Sequence, residues 1–562
     1  MHAQKAEEDH RVLLPNNPFV PPKGDVCFIN NLPPELLSRI FEVGSADDES
    51  DDEDDMADYW DYLLGAKGGD EKDTHDNGSE DEGEEGDEEE TDDEEDSDDS
   101  GSSDFPPPWL SFQVVVSHVC RHWRNVAFST PSLWTTIEVT LDSRPPYESV
   151  STRLERSKGL PIDIHVTCEP HDHDCDVEPP SDTDLEFLFA LLIPHINRWR
   201  TVEVSVSEYH HMYVFLNAVS DPSIPAAPQL TSLELYHHEE TEEFDSFGYP
   251  SMSKHLTLFG GSAPLLTRLV LWGVHVDWNQ PWIASASKLT DLELAFHPED
   301  VRPTWAQFAS ILRGASALEK ISLRLSGPFG DPSEWLIEPT PESPADLNAP
   351  LQLPRVTDFI FAFHSQARAI GLLHKLYLPT LKNLVLDFDN GDYTEFVHEL
   401  AKPATSLSLP SAKEQPRSLL SKLETLKIAG LPCQNDCVEV LYSELQNLTS
   451  LNISLSYLPE EFLSLLGSPG TGQHEMWLPR LVTLYVSGTS SEVFREVVQK
   501  RKDAGVPLNS LYVDEECEVD EDDVEWLKEN LATFEFFEGS DDEDVIDFED
   551  LNEEIDEWSD MD

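Results

Sequence analysis

Between residues 199 and 513 one apolar pattern recurs eleven times: an apolar residue, two spacers, a leucine-like residue, one spacer, and another leucine-like residue. It stands at Trp199/Val202/Val204, Leu230/Leu233/Leu235, Leu266/Leu269/Leu271, Leu289/Leu292/Leu294, Leu318/Ile321/Leu323 and Val356/Phe359/Phe361. It continues at Leu381/Leu384/Leu386, Leu423/Leu426/Ile428, Leu448/Leu451/Ile453, Leu481/Leu484/Val486 and Leu508/Leu511/Val513. The last two positions of each triplet are two residues apart, so a strand turns both to one face. One such unit cannot bury its apolar face alone, and stacked neighbours can. The recurrence therefore predicts a solenoid in which a helix or loop returns the chain after each strand. Helical signals at 187–193, just before the first triplet, and at 308–312 and 462–466, between later ones, supply such return segments. Residues 522–529 predict a capping helix and 534–537 a closing strand.

The pattern resembles the leucine-rich repeat, L-x-x-L-x-L with 20–29 residues per unit. The spacings here run from 23 to 42 residues, and five of the ten fall inside that range. The longer ones imply loop insertions or missed repeats. The usual Asn or Cys of the repeat is mostly absent, so the repeats are irregular.

Two helical signals precede the repeats. In the first, Asn30–Phe41, Pro33 and Pro34 suit a first helical turn, where a missing N–H is no loss. Leu36, Leu37, Ile40 and Phe41 then share one face at i, i+3/i+4 spacing, and Gly44 is a plausible stop. In the second, Phe112–Ala127, Phe112, Val115, Val116, Val119, Cys120, Trp123 and Val126 form one helical face. Ser129-Thr130-Pro131-Ser132 breaks it, and Leu133-Trp134 follows.

Leu-Pro-x-Glu-Leu-Leu-x-x-Ile-Phe from Leu32, then Val-Cys-x-x-Trp-Arg from Val119, then Pro-x-Leu-Trp from Pro131, resembles an F-box. Irregular repeats of the present kind are similar to those behind many fungal F-box modules. The resemblance implies docking to the Skp-type adaptor of a cullin ubiquitin ligase. It also implies that Leu32, Pro33, Leu36, Ile40, Val119, Cys120, Trp123, Leu133 and Trp134 form the packed module or its docking face. The same residues would serve equally as the core of a small helical bundle. Residues 44–108 separate the two halves, where the family has a short loop. Loop closure costs about 0.6 kcal/mol per doubling of length, so an eightfold longer loop costs about 2 kcal/mol, which a packed module tolerates.

The net charge is −76 and is concentrated in two blocks. Residues 46–104 hold 31 Asp or Glu against Lys67 and Lys72, and 538–562 hold 14 with no Lys or Arg. Such composition predicts disorder. Ser50, Ser79 and Ser540 each precede an acidic run and read as sites for an acid-directed kinase, a hypothesis that intact-mass measurement of native protein would test. Residues 59–64 are the one apolar island of the insert, either an anchor or a partner motif. No basic stripe is present, which argues against nucleic acid as a partner, and the same charge disfavours anionic membrane. No run of 18 apolar residues is long enough to span a bilayer. Seven scattered cysteines without framework spacing read as reduced thiols of the cytoplasm or nucleus.

His165, Cys168, His171, His173 and Cys175 are zinc-type donors, but their spacing fits no standard finger, and a polar loop after a strand is the plainer reading. Gly467–Gly472 lacks the Lys-Ser/Thr of a phosphate loop, and Asp387–Asp392 lacks the closing Glu of a calcium loop. No catalytic motif is found, and no metal or cofactor is expected.

The expected fold is α/β: a flexible leader over 1–27, a small helical F-box-like module over 28–43 and 109–138 split by a disordered acidic insert at 44–108, an irregular leucine-rich-repeat solenoid over 139–537, and a disordered acidic tail over 538–562. The expected role is a non-catalytic substrate-recognition adaptor of a Skp/cullin/F-box ligase, its repeats binding an unidentified substrate protein. A repeat scaffold outside ubiquitin ligases and an acidic chaperone of basic proteins are the alternatives.

Overall fold

Among the described residues, fourteen strands lie in one sheet in strict chain order, every neighbouring pair parallel. They are β1 (Thr136–Val139), β2 (Ile162–Cys168), β3 (Trp199–Val206), β4 (Ser232–His237), β5 (Arg268–Trp272), β6 (Asp291–Ala295) and β7 (Lys320–Arg324). They continue as β8 (Asp358–Ala362), β9 (Asn383–Asp387), β10 (Thr425–Gly430), β11 (Ser450–Ser454), β12 (Thr483–Ser487), β13 (Ser510–Asp514) and β14 (Thr533–Phe537). The computed structural model describes residues 29, 32–45, 111–141, 143–168, 179–238, 246–253, 256–336, 350–388, 391–403, 418–455, 458–470, 476–488, 492–515, 517 and 519–537. The leader, the acidic insert from residue 46, the tail, residues 59–64, the three candidate phosphorylation serines and His171, His173 and Cys175 lie outside them.

Each triplet read from the sequence supplies a strand, and its apolar residues are buried in one continuous core. Register explains the continuity. Leu233 pairs with Leu269, Leu269 with Leu292, and Leu292 with Ile321, so leucines stack on leucines from repeat to repeat. Helices between the strands close the core from the same side. The first three of these after β1 are α4 (Glu148–Arg156), α5 (Asp182–Leu192) and α6 (Tyr209–Ala218), numbered after the three helices of the N-terminal unit below. Two strands precede the first triplet. Residues 135–138 therefore belong with the repeats, not with the helical module, because β1 pairs with β2 from Thr136↔Asp163 to Val139↔Val166. At the other end β14 follows the helix Glu521–Asn530, as the sequence predicts.

Buried arginines do the work that the missing Asn or Cys ladder does in regular repeats. Arg501 is fully buried and donates to the carbonyls of Leu466, Trp477 and Leu478 at 2.8–3.2 Å. Arg198 donates to Leu154 and Leu160 carbonyls, and Arg302 to those of His297 and Leu325. A long guanidinium reaches several carbonyls at once, so it satisfies buried loop backbone whatever the loop length. That tolerance fits the variable repeat spacing.

The N-terminal unit is α1 (34–45), α2 (Phe112–Val119), α3 (Arg121–Ser129) and a 3₁₀ turn, Pro131–Trp134. Its core is Leu37, Phe41, Val116, Val126, Ala127, Leu133 and Trp134, with Ile29, Phe112 and Trp123 packed against it. Two expectations are corrected. The single helix over 112–127 is broken at Cys120, whose backbone is extended (φ −159°, ψ 170°) and whose thiol accepts from the Trp123 N–H to cap α3. Gly44 lies inside α1, which runs on to residue 45, and its missing side chain makes room for the Phe112 ring, which a Cβ there would approach to 2.4 Å.

Candidate docking surfaces

Helix α1 presents two apolar faces where the sequence predicts a single one, because a turn of 100° per residue separates Leu36 from Leu37 and Ile40 from Phe41. Leu37 and Phe41, four residues apart, enter the core, where the Phe41 ring meets Trp123 at 5.1 Å and Phe112 at 6.5 Å. Leu36, Ile40 and Val43 form a second stripe at i, i+4 and i+7, and all three are exposed, Ile40 by 47% and Val43 by 49%. Val119, the last residue of α2, is 57% exposed. Polar bonds inside the unit hold α1 in place. Ser38 Oγ lies 2.8 Å from Thr130 Oγ1, and Ser132 Oγ donates to Glu42 at 2.7 Å.

The nine residues implied by the resemblance are thereby sorted. Leu133 and Trp134 are core, and the indole N–H of Trp134 donates to the Ala127 carbonyl at 2.9 Å. Trp123 packs on the core half-buried, Leu32 is half-buried, and Cys120 caps a helix. Pro33, Leu36, Ile40 and Val119 face solvent. Val43, absent from that set, completes the exposed stripe. The i, i+4, i+7 spacing was its available signal.

On the repeat unit the sheet face opposite the core carries the residues between the leucines. Charged pairs cross adjacent strands there. Arg268 on β5 lies 2.9 Å from Glu234 on β4, and Ser232 and Tyr236 also donate to that carboxylate. Burial pushes the Glu234 carboxyl up, but Arg268 and these bonds outweigh it and leave it below the ordinary value. Arg324 on β7 stands 3.7 Å from Glu293 on β6, both nearly buried. Burial holds the Glu293 carboxyl above its ordinary value despite that cation.

Beside these pairs runs an aromatic strip along the strand ends. Tyr236 stacks with His238 at 5.8 Å, His238 meets Trp272 at 5.7 Å, Trp272 meets Phe296 at 4.8 Å, and Phe296 meets Phe363 at 5.7 Å. Arg324 lies over Trp272 at 5.8 Å. Phe296 and Phe363 hold left-handed backbone, φ 49° and 57°. Each N–H continues the ladder, to the carbonyls of Arg324 and Asp387, both at 2.8 Å. Such a conformation costs a bulky residue about 1–3 kcal/mol and concentrates at functional positions. The strip lies outside the triplets, and an aromatic one or two places after the last leucine is its signal in the sequence.

His165 and Cys168 are strand residues, not loop residues. Both lie on β2, where Cys168 faces the core and His165 pairs with Glu203 on β3 at 3.1 Å. A metal-type cluster does occur one repeat later, where one donor atom each from Asp182, His210 and His211 lie within 4.8 Å of one another.

No family model matches the chain, and no curated protein matches it. Among solved structures it is similar to the TLR13 chain of a TLR13–ssRNA13 complex, with 14% identity and a TM-score of 0.33 over 70% of this chain and 48% of that one. This chain thus spans about half of that TLR13 chain. It is also similar to the leucine-rich repeat-containing protein LegL7 from Legionella pneumophila, with 13% identity and a TM-score of 0.29 over 72% of this chain and 91% of that one. The repeat architecture rests on the chain's own register of stacked leucines. No helix among the described residues is long and apolar enough to cross a membrane.

Proposed function

We propose that this chain is a non-catalytic adaptor whose helical unit docks a Skp-type subunit of a cullin ubiquitin ligase and whose repeat sheet holds a substrate protein. The observation that carries the reading is the Leu36–Ile40–Val43 stripe, left exposed on a helix whose opposite residues already form the core. Large apolar residues lined up at helical spacing cost solubility and are retained where a partner covers them. The F-box resemblance supplies the partner class, a helical adaptor. The aromatic strip suits the substrate side, since rigid rings beside a cation are typical anchors of protein interfaces.

Calorimetry of the full-length chain with a Skp-type adaptor tests this reading. Saturable one-to-one binding, lost in a Leu36→Asp/Ile40→Asp variant that keeps the wild-type circular dichroism, is the expected result. A folded wild type that binds no adaptor, or a variant that binds equally well, would sink the ligase role. The aromatic strip favours a repeat scaffold as the second reading. Adaptor binding without cullin recruitment would select it.

A further inference from the structure

The geometry points to a divalent transition-metal site of the imidazole–carboxylate class at the adjoining starts of α5 and α6, formed by Asp182, His210 and His211. Stacked repeats bring the two helix starts together. Helix α5 is capped by a reciprocal box between Ser181 and Asp184, so the Asp182 carboxylate is left unused by the cap. His210 Nε2 stands 3.4 Å from Asp182 Oδ1. Two ligands each about 2.0–2.1 Å from a tetrahedral ion lie roughly 3.3–3.4 Å apart, so this edge is already of the right length. The third donor is His211, only 2% exposed, whose Nδ1 has no hydrogen-bond partner.

The outer nitrogen of the His210 ring is also accounted for. His210 Nδ1 faces Glu208 Oε2 at 3.5 Å, the arrangement by which a second-sphere carboxylate orients a metal-bound imidazole. An unpartnered buried imidazole nitrogen is costly without a ligand. Two imidazoles and one carboxylate select Zn²⁺, Co²⁺, Ni²⁺ or Cu²⁺ over Mg²⁺ or Ca²⁺. The helix starts place partial positive charge nearby, and Asp182 with Glu208 offsets it. Asp182 is exposed and His210 half-exposed, which gives an ion access and leaves a coordination position for water.

Full-length protein stripped with chelator and titrated with Co²⁺ tests the site. The expected result is one Co²⁺ per chain with d–d absorption, no thiolate charge-transfer band, and displacement by Zn²⁺. Asp182→Asn and His210→Gln alter accessible side chains and keep the fold. Each should weaken binding at least tenfold, and Glu208→Gln about tenfold. Unchanged affinity in both ligand variants would overturn the assignment. So would a thiolate band, which would move the ion to cysteine, or wild-type binding without a stoichiometric end-point, which would assign it to the chain's many carboxylates.

Discussion

Leu36 and Leu37 are chain neighbours with opposite surroundings: Leu37 is fully buried among Phe41, Val116 and Trp134, whereas Leu36 stands 54% exposed. A helix turns 100° per residue, so adjacent leucines cannot share a face. Leu37→Ala should cost the helical unit about 2–5 kcal/mol through lost burial and a cavity, and Leu36→Ala less than about 0.5 kcal/mol. Hydrogen-exchange mass spectrometry over 34–45 and 112–134 reads the difference. Equal protection in the two variants would contradict this division of labour.

The Glu234–Arg268 pair predicts an acid-sensitive sheet. The folded carboxyl lies below its unfolded value, so its stabilisation is complete above that unfolded value and fades as pH falls through the folded one. Arg268→Met removes the cation that overrides burial. It should cost about 2 kcal/mol at pH 7, the scale of a charge-assisted hydrogen bond, and much less at pH 3. Urea midpoints at the two pH values check both numbers. A cost that does not depend on pH would place the loss in packing, not charge.

His297 predicts proton uptake on unfolding. It is fully buried, contacts Ser326 Oγ at 2.8 Å and the Val274 carbonyl at 2.9 Å, and burial, its leading cause, holds it at about 3. Its folded value lies below the unfolded one, so the neutral ring contributes fully above about pH 6.5 and loses its contribution as pH falls from there towards 3. Near pH 5 this residue should add one proton to the uptake, a slope of about 1.4 kcal/mol per pH unit. His297→Gln should flatten the stability–pH curve by that amount between pH 4 and 6, as followed by denaturant titration. An unchanged slope would mean that the ring is charged when folded.

His165 and Glu203 act in the opposite direction. Burial lowers the ring, but the hydrogen bond and charge of Glu203 outweigh it, so the folded value is raised. Its stabilisation is full below the unfolded value and is lost as pH rises through the folded one. Glu203→Gln should therefore destabilise the protein more at pH 6 than at pH 9, again by denaturant midpoints. A larger loss at pH 9 would reverse the assignment.

Gly430 is a packing requirement. Its strand pairs Asp387 across a register shift, and its carbonyl accepts from the Phe388 N–H at 2.8 Å. A Cβ at 430 would stand 2.6 Å from the Phe388 carbonyl oxygen, a backbone atom with little freedom to yield. Gly430→Ala should cost about 1–3 kcal/mol, measured as a lower denaturation midpoint. A neutral substitution would show that β9 and β10 can move apart.

The repeat frame was legible in the sequence because burial has a local period. Two apolar positions two residues apart, followed by a return segment, carry their own geometry wherever they occur. That is why the last two residues of all eleven triplets lie on strands. The strand β2 escaped because Pro161 stands where the leading apolar residue would be, whereas Trp134/Ile137/Val139 fits the triplet as Trp199/Val202/Val204 does but Trp134 also completes the Pro-x-Leu-Trp motif of the helical module. The division of α1 between Leu37 and Phe41 inside and Leu36 and Ile40 outside was not legible either. Both pairs are apolar at the same spacing, and only the arrival of α2 and α3 from across a long insertion selects one. The aromatic strip and the Asp182–His210–His211 cluster depend on register between repeats of unequal length. Loop lengths and the parallel ladder set which residues meet, and no local pattern encodes that. The sequence by itself determined that the chain must stack, since each unit leaves an apolar face to cover. Only the tertiary structure decided what the stack displays, since display depends on contacts between residues far apart in the chain.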